Sequence, residues 1–335
     1  MLLTIHVSEE PDNCMGVNVK DYGAVGDGST DDAWAINAAI AAAASLGGGD
    51  VWHPPGIYQI EELIWVNGLS GIRLRGEGAA SVIRAKSGLA NHLVAFTGGS
   101  GNGISDLMLD HAGATIGHGL RIADVTDFTA ERLAVINAFA YGIGAQAGTM
   151  KNVWLSQIRI ANAGDDGIDF KNPNSNNDGL FLSEIVVDGF STRAGSGNAG
   201  IDMRGPAQLS QIVVNGVPSG CAGIKLREDG PTTGLGGERS SLTNFRVMGN
   251  SGASWGVAAM TKHVRIAGGF ISGFVEGVLM LDGQGIATGN EIQNCTKGVR
   301  IKGTKAVVVG NRITGCGTAI ANESTGSIVE HNVTA

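Results

Sequence analysis

The sequence predicts an all-β solenoid, and three observations carry that prediction. Gly119, Gly142, Gly167, Gly200, Gly223, Gly256, Gly277 and Gly298 each precede a short apolar strand, at intervals of 21 to 33 residues. A second series of β-branched segments closes the same units: LAVINA at 133–138, IRIANA at 158–163, IVVDGF at 185–190 and IVVNGV at 212–217. Only one convincing helical run occurs, near the N-terminus. A period of this length without a helix per repeat describes stacked β coils, each burying its inward side chains against the next. The leucine and asparagine register of a leucine-rich array is missing, and glycine is assigned to the bends.

Taken in order, residues 1–16 form an N-terminal arm and residues 17–50 an opening segment with a capping helix. Residues 51–335 form the solenoid, with extended loops near 172–199 and 228–240. In the opening segment, Ser29 or Thr30 caps a helix whose first turn carries Asp31 and Asp32, at the end that favours negative charge. Trp34, Ile36, Ala39, Ile40 and Ala43 give that helix an apolar side, and Gly47 to Gly49 stop it. Val51-Trp52 restarts as strand and Pro54-Pro55-Gly56 turns it. Two of the glycine intervals, 33 residues each, exceed the ordinary 21 to 25. One excess falls around NPNSNNDG (172–179) or STRAGSGNAG (191–200) and the other in EDGPTTGLGGERS (228–240), all polar, glycine-rich stretches. Near the C-terminus Asn290, Asn311 and Asn332 recur every 21 residues, as do Cys295 and Cys316, which are expected to stack as small apolar groups. The last segment, SIVEHNVTA, ends in a coil with no covering helix. That leads to the expectation of either a further module or an oligomer shielding the end.

Composition narrows the function. A chain of 335 residues, 43% hydrophobic and 16% charged, folds around a large core. A net charge of −8 argues against non-specific nucleic-acid binding, and four cysteines are too few for a disulfide scaffold. No apolar stretch approaches the roughly 18 residues of a membrane span, so no membrane partner is expected. The start, MLLTIHVSEEPDN, lacks the basic and long apolar regions of a signal peptide.

The run DYGAVGDGSTDD, a helix, then GGGDVWHPPGIY resembles the opening segment of the pectate-lyase-like superfamily of right-handed parallel β-helices. Its members include polygalacturonase-like hydrolases, phage tailspike depolymerases, polysaccharide lyases and uronan epimerases. The resemblance covers roughly residues 17–60 and implies a single-stranded right-handed parallel β-helix closed by its N-terminal helix. It leaves Asp27, Asp31, Asp32 and His53 with capping and turn roles. It also implies a polysaccharide partner, extracellular or phage-virion action, and, by likeness to tailspikes, a homotrimer.

The chemistry is expected around 165–227, where AGDDGIDFK, GNAGIDMRG and CAGIKLRED read as one strand written three times. Aligned on Gly167, Gly200 and Gly223, they set Asp169, Asp202 and Lys225 in one column and Lys171, Arg204 and Arg227 in a second on the same face. Two carboxylates on neighbouring coils push their pKa values apart, which suits a glycosidase acid/base pair. Asp169 and Asp202, with Asp166 in the preceding turn, are therefore the catalytic candidates of a glycoside hydrolase without a cofactor. Lys171, Arg204, Lys225 and Arg227 are candidates to hold an acidic sugar. Arg121, in the same column by the glycine alignment, and His118 extend the binding face upstream. His118 otherwise reads as a lone surface histidine, and Trp154, Tyr141 and Trp255 as sugar-stacking or core aromatics. The alternative recasts the same residues by resemblance to lyases and epimerases: the aspartates hold Ca²⁺ while Lys225 or Arg227 acts as base. A third reading is a non-catalytic glycan-binding or spike protein whose columns are a salt-bridge ladder. The match to polygalacturonases is poor, since Gly117-His118-Gly119 lies ahead of the Asp pair. The remaining histidines show no zinc spacing.

Overall fold

The computed structural model describes residues 16–145, 148–170, 178–193, 195–227 and 239–335. Its chain winds into a right-handed parallel β-helix whose N-terminal end is covered by the helix Ala33–Ser45. Every strand pairing is parallel and joins neighbouring coils. One face is built from short strands that include Leu120–Ala123, Ile143–Ala145, Ile168–Phe170, Ala199–Arg204 and Ala222–Arg227. Long strands such as Lys151–Ala161, Asp178–Asp188 and Ala207–Val217 supply the rest of each coil. Midway along these, Arg132, Gln157, Glu184 and Gln211 take left-handed backbone angles (φ 49° to 55°), so each long strand turns and serves two faces. No sequence signal marked these turns, because polar residues on an outer surface satisfy either conformation.

The interior is a set of aliphatic stacks. Ile168, Ile201, Ile224, Val257, Val278 and Val299 follow one another in register, and all are fully buried. Beside them runs the glycine column, for a different reason from the expected one. None of Gly142, Gly167, Gly200 or Gly223 has a positive φ. A Cβ at Gly200 would lie 2.5 Å from Val214 Cγ1 and 2.9 Å from the carbonyl oxygen of Gly223, and its neighbours are equally close. These glycines permit close approach of coil to coil, not an unusual bend.

The helix starts later than expected, with Asp32 at its N-cap and no side-chain cap bond. Asp32 instead accepts hydrogen bonds from the backbone N–H groups of Val25 and Gly26, while Asp27 accepts those of Ser29 and Thr30. These are turn roles, and Ser29 and Thr30 lie in the strand Asp27–Asp31. Trp34, placed on the apolar side by periodicity, is 76% exposed; Ile36, Ala39, Ile40 and Ala43 face the core. His53 is fully buried against Tyr58, as its structural reading required. Toward the C-terminus Asn290, Asn311 and Asn332 form a ladder: each backbone N–H of Asn290 and Asn311 donates to the amide oxygen of the next asparagine at 3.0 Å. Cys295 and Cys316 are free thiols, the first buried and the second half-buried. Among the described residues no helix is long and apolar enough to cross a membrane. The N-terminal arm to residue 15, Lys171, residues 172–177 of the first expected loop and residues 228–238 of the second lie outside the described residues, and the first loop is shorter than expected because the strand Asp178–Asp188 runs through it.

Candidate active site

The short-strand face carries the charged columns, and strand register fixes them. Arg121 pairs with Gly144, Gly144 with Asp169, Asp169 with Asp202, and Asp202 with Lys225. Arg204 pairs with Arg227 in the second column. Register alternates in from out, so the aliphatic stacks on either side of Asp169 and Asp202 force these carboxylates onto the outer face. They are nonetheless enclosed: Asp169 and Asp202 are 0% and 1% exposed, Asp166 3% and Lys225 4%.

A third column, at the corner just before each glycine, was not anticipated. Backbone N–H groups of Gly119 and Gly142 donate to the carbonyls of Tyr141 and Asp166, which stacks His118, Tyr141 and Asp166 on successive coils. The N–H of Leu93 donates to the carbonyl of His118 and places His92 ahead of them. The rings form a pile: His92 and His118 centroids are 4.6 Å apart, and His118 and Tyr141 4.7 Å. His118 is thus buried between two rings and is not a lone surface histidine. Arg121 reaches this pile, with Nη1 3.1 Å from Nε2 of His92. The stack of His92, His118 and Tyr141 was hard to read because its members differ in chemistry from coil to coil; His118 and Tyr141 share an offset of one residue before a glycine, but His92 precedes Leu93.

Three carboxylates converge where the columns meet. Asp166, Asp169 and Asp202 each offer an oxygen within 4.8 Å of the others. Asp166 accepts a hydrogen bond from the backbone N–H of Ala199. Burial, then the charge of Asp169, raises its pKa to about 7 despite that bond. Asp202 is gripped by Arg227, which donates from Nε at 2.7 Å and also from Nη2. Burial opposes the charge on Arg227, but the Asp202 hydrogen bonds and charge outweigh it and raise its pKa. Lys225 donates from Nζ to the carbonyl of Gly197. Asp165, adjacent in sequence to Asp166, points elsewhere and forms a bidentate pair with Arg193 at 3.0 and 3.1 Å.

The donor set is of the kind that a hard divalent cation takes: three carboxylates, no sulfur and no imidazole. Asp166 and Asp169 present their oxygens into the shared space, while Asp202 arrives already neutralised by Arg227. The residues therefore fit Ca²⁺ in chemistry and spacing. Among the described residues this is the one group of three or more acidic or metal-ligating side chains so arranged. Of the expected aromatics, Trp154 is stacked at 9° on Phe181, which covers one of its faces. Trp255 donates its indole N–H to Glu276 at 3.0 Å.

Known proteins with related sequence or structure share this architecture. The family model of rhamnogalacturonase A/epimerase, pectate lyase-like proteins matches residues 16–229. Mannuronan C5-epimerase AlgE6 of Azotobacter vinelandii is 29% identical over 187 residues, which is 52% of this chain and 20% of that protein. Plasmin and fibronectin-binding protein A of Streptococcus pneumoniae is 49% identical over 59 residues, 17% of this chain and 8% of its own length. The chain spans a fifth or less of these curated relatives. Among solved structures, the A-module of mannuronan C-5 epimerase AlgE4 of Azotobacter vinelandii has a TM-score of 0.64 at 20% identity. That match covers 95% of this chain and 99% of the module, and at this identity it is a likeness of fold.

Proposed function

Because the chain belongs to the rhamnogalacturonase A/epimerase, pectate-lyase-like family, we propose that it is an enzyme acting on an acidic polysaccharide by lyase or epimerase chemistry. The observation that carries this reading is the convergence of three buried carboxylates with Lys225 and Arg227 on one outer face. A Ca²⁺ ion held by Asp166, Asp169 and Asp202 would neutralise the substrate carboxylate and make the adjacent C–H more acidic. Arg227 stays protonated on Asp202, so of the two bases considered Lys225 is the candidate to remove the proton next to that carboxylate. With the ion bound Asp166 is held ionised as a ligand, so the returning proton is drawn from solvent. In a lyase the electron pair left by the C–H bond forms a C=C as the neighbouring C–O bond breaks, and the departing oxygen takes the returned proton. In an epimerase no C–O bond breaks, and a proton returns to the same carbon from the opposite face. The similarity to a mannuronan C5-epimerase supports this class of reaction.

The glycoside hydrolase expected from the Asp169–Asp202 pair fits less well. Both oxygens of Asp202 are engaged by Arg227, which leaves it a poor nucleophile or acid. One observation still favours hydrolysis: a protonated Asp166 beside Asp169 also makes an acid with a neighbouring carboxylate. Digestion of alginate and of polygalacturonate in deuterated water, with and without a chelator, separates the cases. Elimination gives ultraviolet-absorbing unsaturated ends, and epimerisation gives deuterium on the ring carbon without chain cleavage. Hydrolysis would give reducing ends and no chromophore, and binding without any product would favour the non-catalytic reading. Activity unchanged by the chelator would remove Ca²⁺ from the scheme.

A further inference from the structure

At Gly144 the catalytic-face column carries no side chain, although its neighbours in register are Arg121 and Asp169. The space is taken by a ring from another coil. A Cβ built on Gly144 would lie 2.6 Å from Cδ2 and 3.0 Å from Nε2 of His118. The imidazole of His118 therefore lies over Gly144, one coil from Asp169, at a step of about 4.8 Å.

Three contacts fix that ring. Its two faces are packed by His92 and Tyr141. Its Nδ1 faces the backbone N–H of Tyr141 at 3.4 Å, so Nδ1 is the acceptor and the proton sits on Nε2. No described residue hydrogen-bonds Nε2, and His118 is 8% exposed. The ring thus presents one N–H, immobilised over Gly144, whose neighbour in register on the following coil is Asp169.

We propose that His118 is a catalytic residue that remains neutral and donates its Nε2–H to the carboxylate of the bound acidic sugar. This rests on the proposed removal of a proton beside that carboxylate, a step that piles negative charge on the carboxylate oxygens. A fixed donor aimed at developing charge lowers such a barrier without itself exchanging a proton. The groups facing the ring are consistent with neutrality. Burial first, then the charges of His92, Arg121 and His111, lower its pKa to about 3. The phenol of Tyr141 covers the other face, and Asp169 stands on the following coil. Gly144 follows from the same reading: any side chain there displaces the ring from the column.

The test uses the full chain with alginate and polygalacturonate as probes. His118→Phe keeps a flat ring in the pile and removes the donor, while His118→Gln retains an N–H. The expected result is a fall in kcat of about 100-fold for H118F with KM little changed, and a loss of less than about 10-fold for H118Q. Nitrogen-15 spectra of the imidazoles should show His118 as the Nε2–H tautomer, without a titration step between pH 5 and 8. H118F turning over within threefold of the native rate overturns the assignment, as does a His118 ring that titrates near pH 6.5. A native enzyme inactive on both polymers would defeat the functional reading and this role together. An active enzyme indifferent to H118F would defeat this role alone.

Discussion

Replacing Asp166 with asparagine should flatten the pH dependence of stability. In the folded protein the Asp166 carboxyl has its pKa raised from 3.8 to about 7, by burial and then by the charge of Asp169. A group whose folded pKa is raised binds more protons folded than unfolded between those two values. Stability therefore falls as pH rises from about 4 to 7 and levels off above 7, the reverse of the usual salt-bridged aspartate. The shift of about 3 units corresponds to a loss of about 4 kcal/mol across that window. Asp166 is 3% exposed, so solvent screening takes little from that figure. D166N cannot ionise and should lose this component, becoming the more stable form at pH 8 while near parity at pH 4. Denaturant midpoints for both proteins at pH 4, 6 and 8, in chelator, measure the difference. An infrared difference spectrum of the carboxylic C=O stretch would show directly at which pH Asp166 ionises. Parallel stability profiles for D166N and the native chain would refute the argument. Added Ca²⁺ should restore stability to the native protein at pH 8, because a bound cation favours the ionised carboxyl.

Three further perturbations test other parts of the structure. Arg227→Ala leaves Asp202 buried without its partner and should cost about 3 kcal/mol. Adding Asp202→Asn should recover part of it, and additive losses in the double-mutant cycle would rule out the pair as a coupled unit. Gly200→Ala drives a methyl against Val214 and a backbone carbonyl that cannot yield, so a loss of about 2 kcal/mol or more is expected in a melting experiment. A normal melt would mean the coils can separate. Asn311→Ala removes the amide that accepts from the N–H of Asn290 and donates to the carbonyl of Ala287. Amide hydrogen exchange should then accelerate at Asn290 and its coil by about 10-fold or more, and unchanged protection would place the ladder's stability elsewhere.

The solenoid was legible because its cause is repetitive. Each coil needs an aliphatic residue at the same inward position, and close stacking tolerates only glycine beside it, so both recur along the chain. The Asn290, Asn311 and Asn332 ladder was visible for the same reason, as a strict 21-residue repeat. The helix boundary was not. Ser29 and Thr30 are good caps in isolation, but Asp27 binds that turn to itself and the strand Asp27–Asp31 pairs with the next coil. Tertiary pairing outweighed local capping. Trp34 misled in a similar way, since a short helix lying over the end of a solenoid buries a narrow stripe of alanine and isoleucine and needs no large ring.

At the site, in-register alignment recovered Asp169, Asp202 and Lys225 but not the third dimension. Asp166 follows Asp165 directly, and nothing in DD says that one carboxyl turns to Arg193 while the other turns inward beside Asp169. The corner column decides it, and that column is defined by backbone bonds between coils, not by residue type. The same limit hid His118. A histidine between two glycines reads as a surface turn, whereas stacking on His92 and Tyr141 requires three coils to be superposed before any ring meets another. Gly144 completes the point: in the alignment it is a missing side chain, and in the folded chain it is the space that admits the ring beside the aspartates. In a solenoid the chemistry at one position is set by what the neighbouring coils leave vacant as much as by what they carry. A gap in the column, and not only its charges, is what lets the His118 ring lie over Gly144, one coil from Asp169.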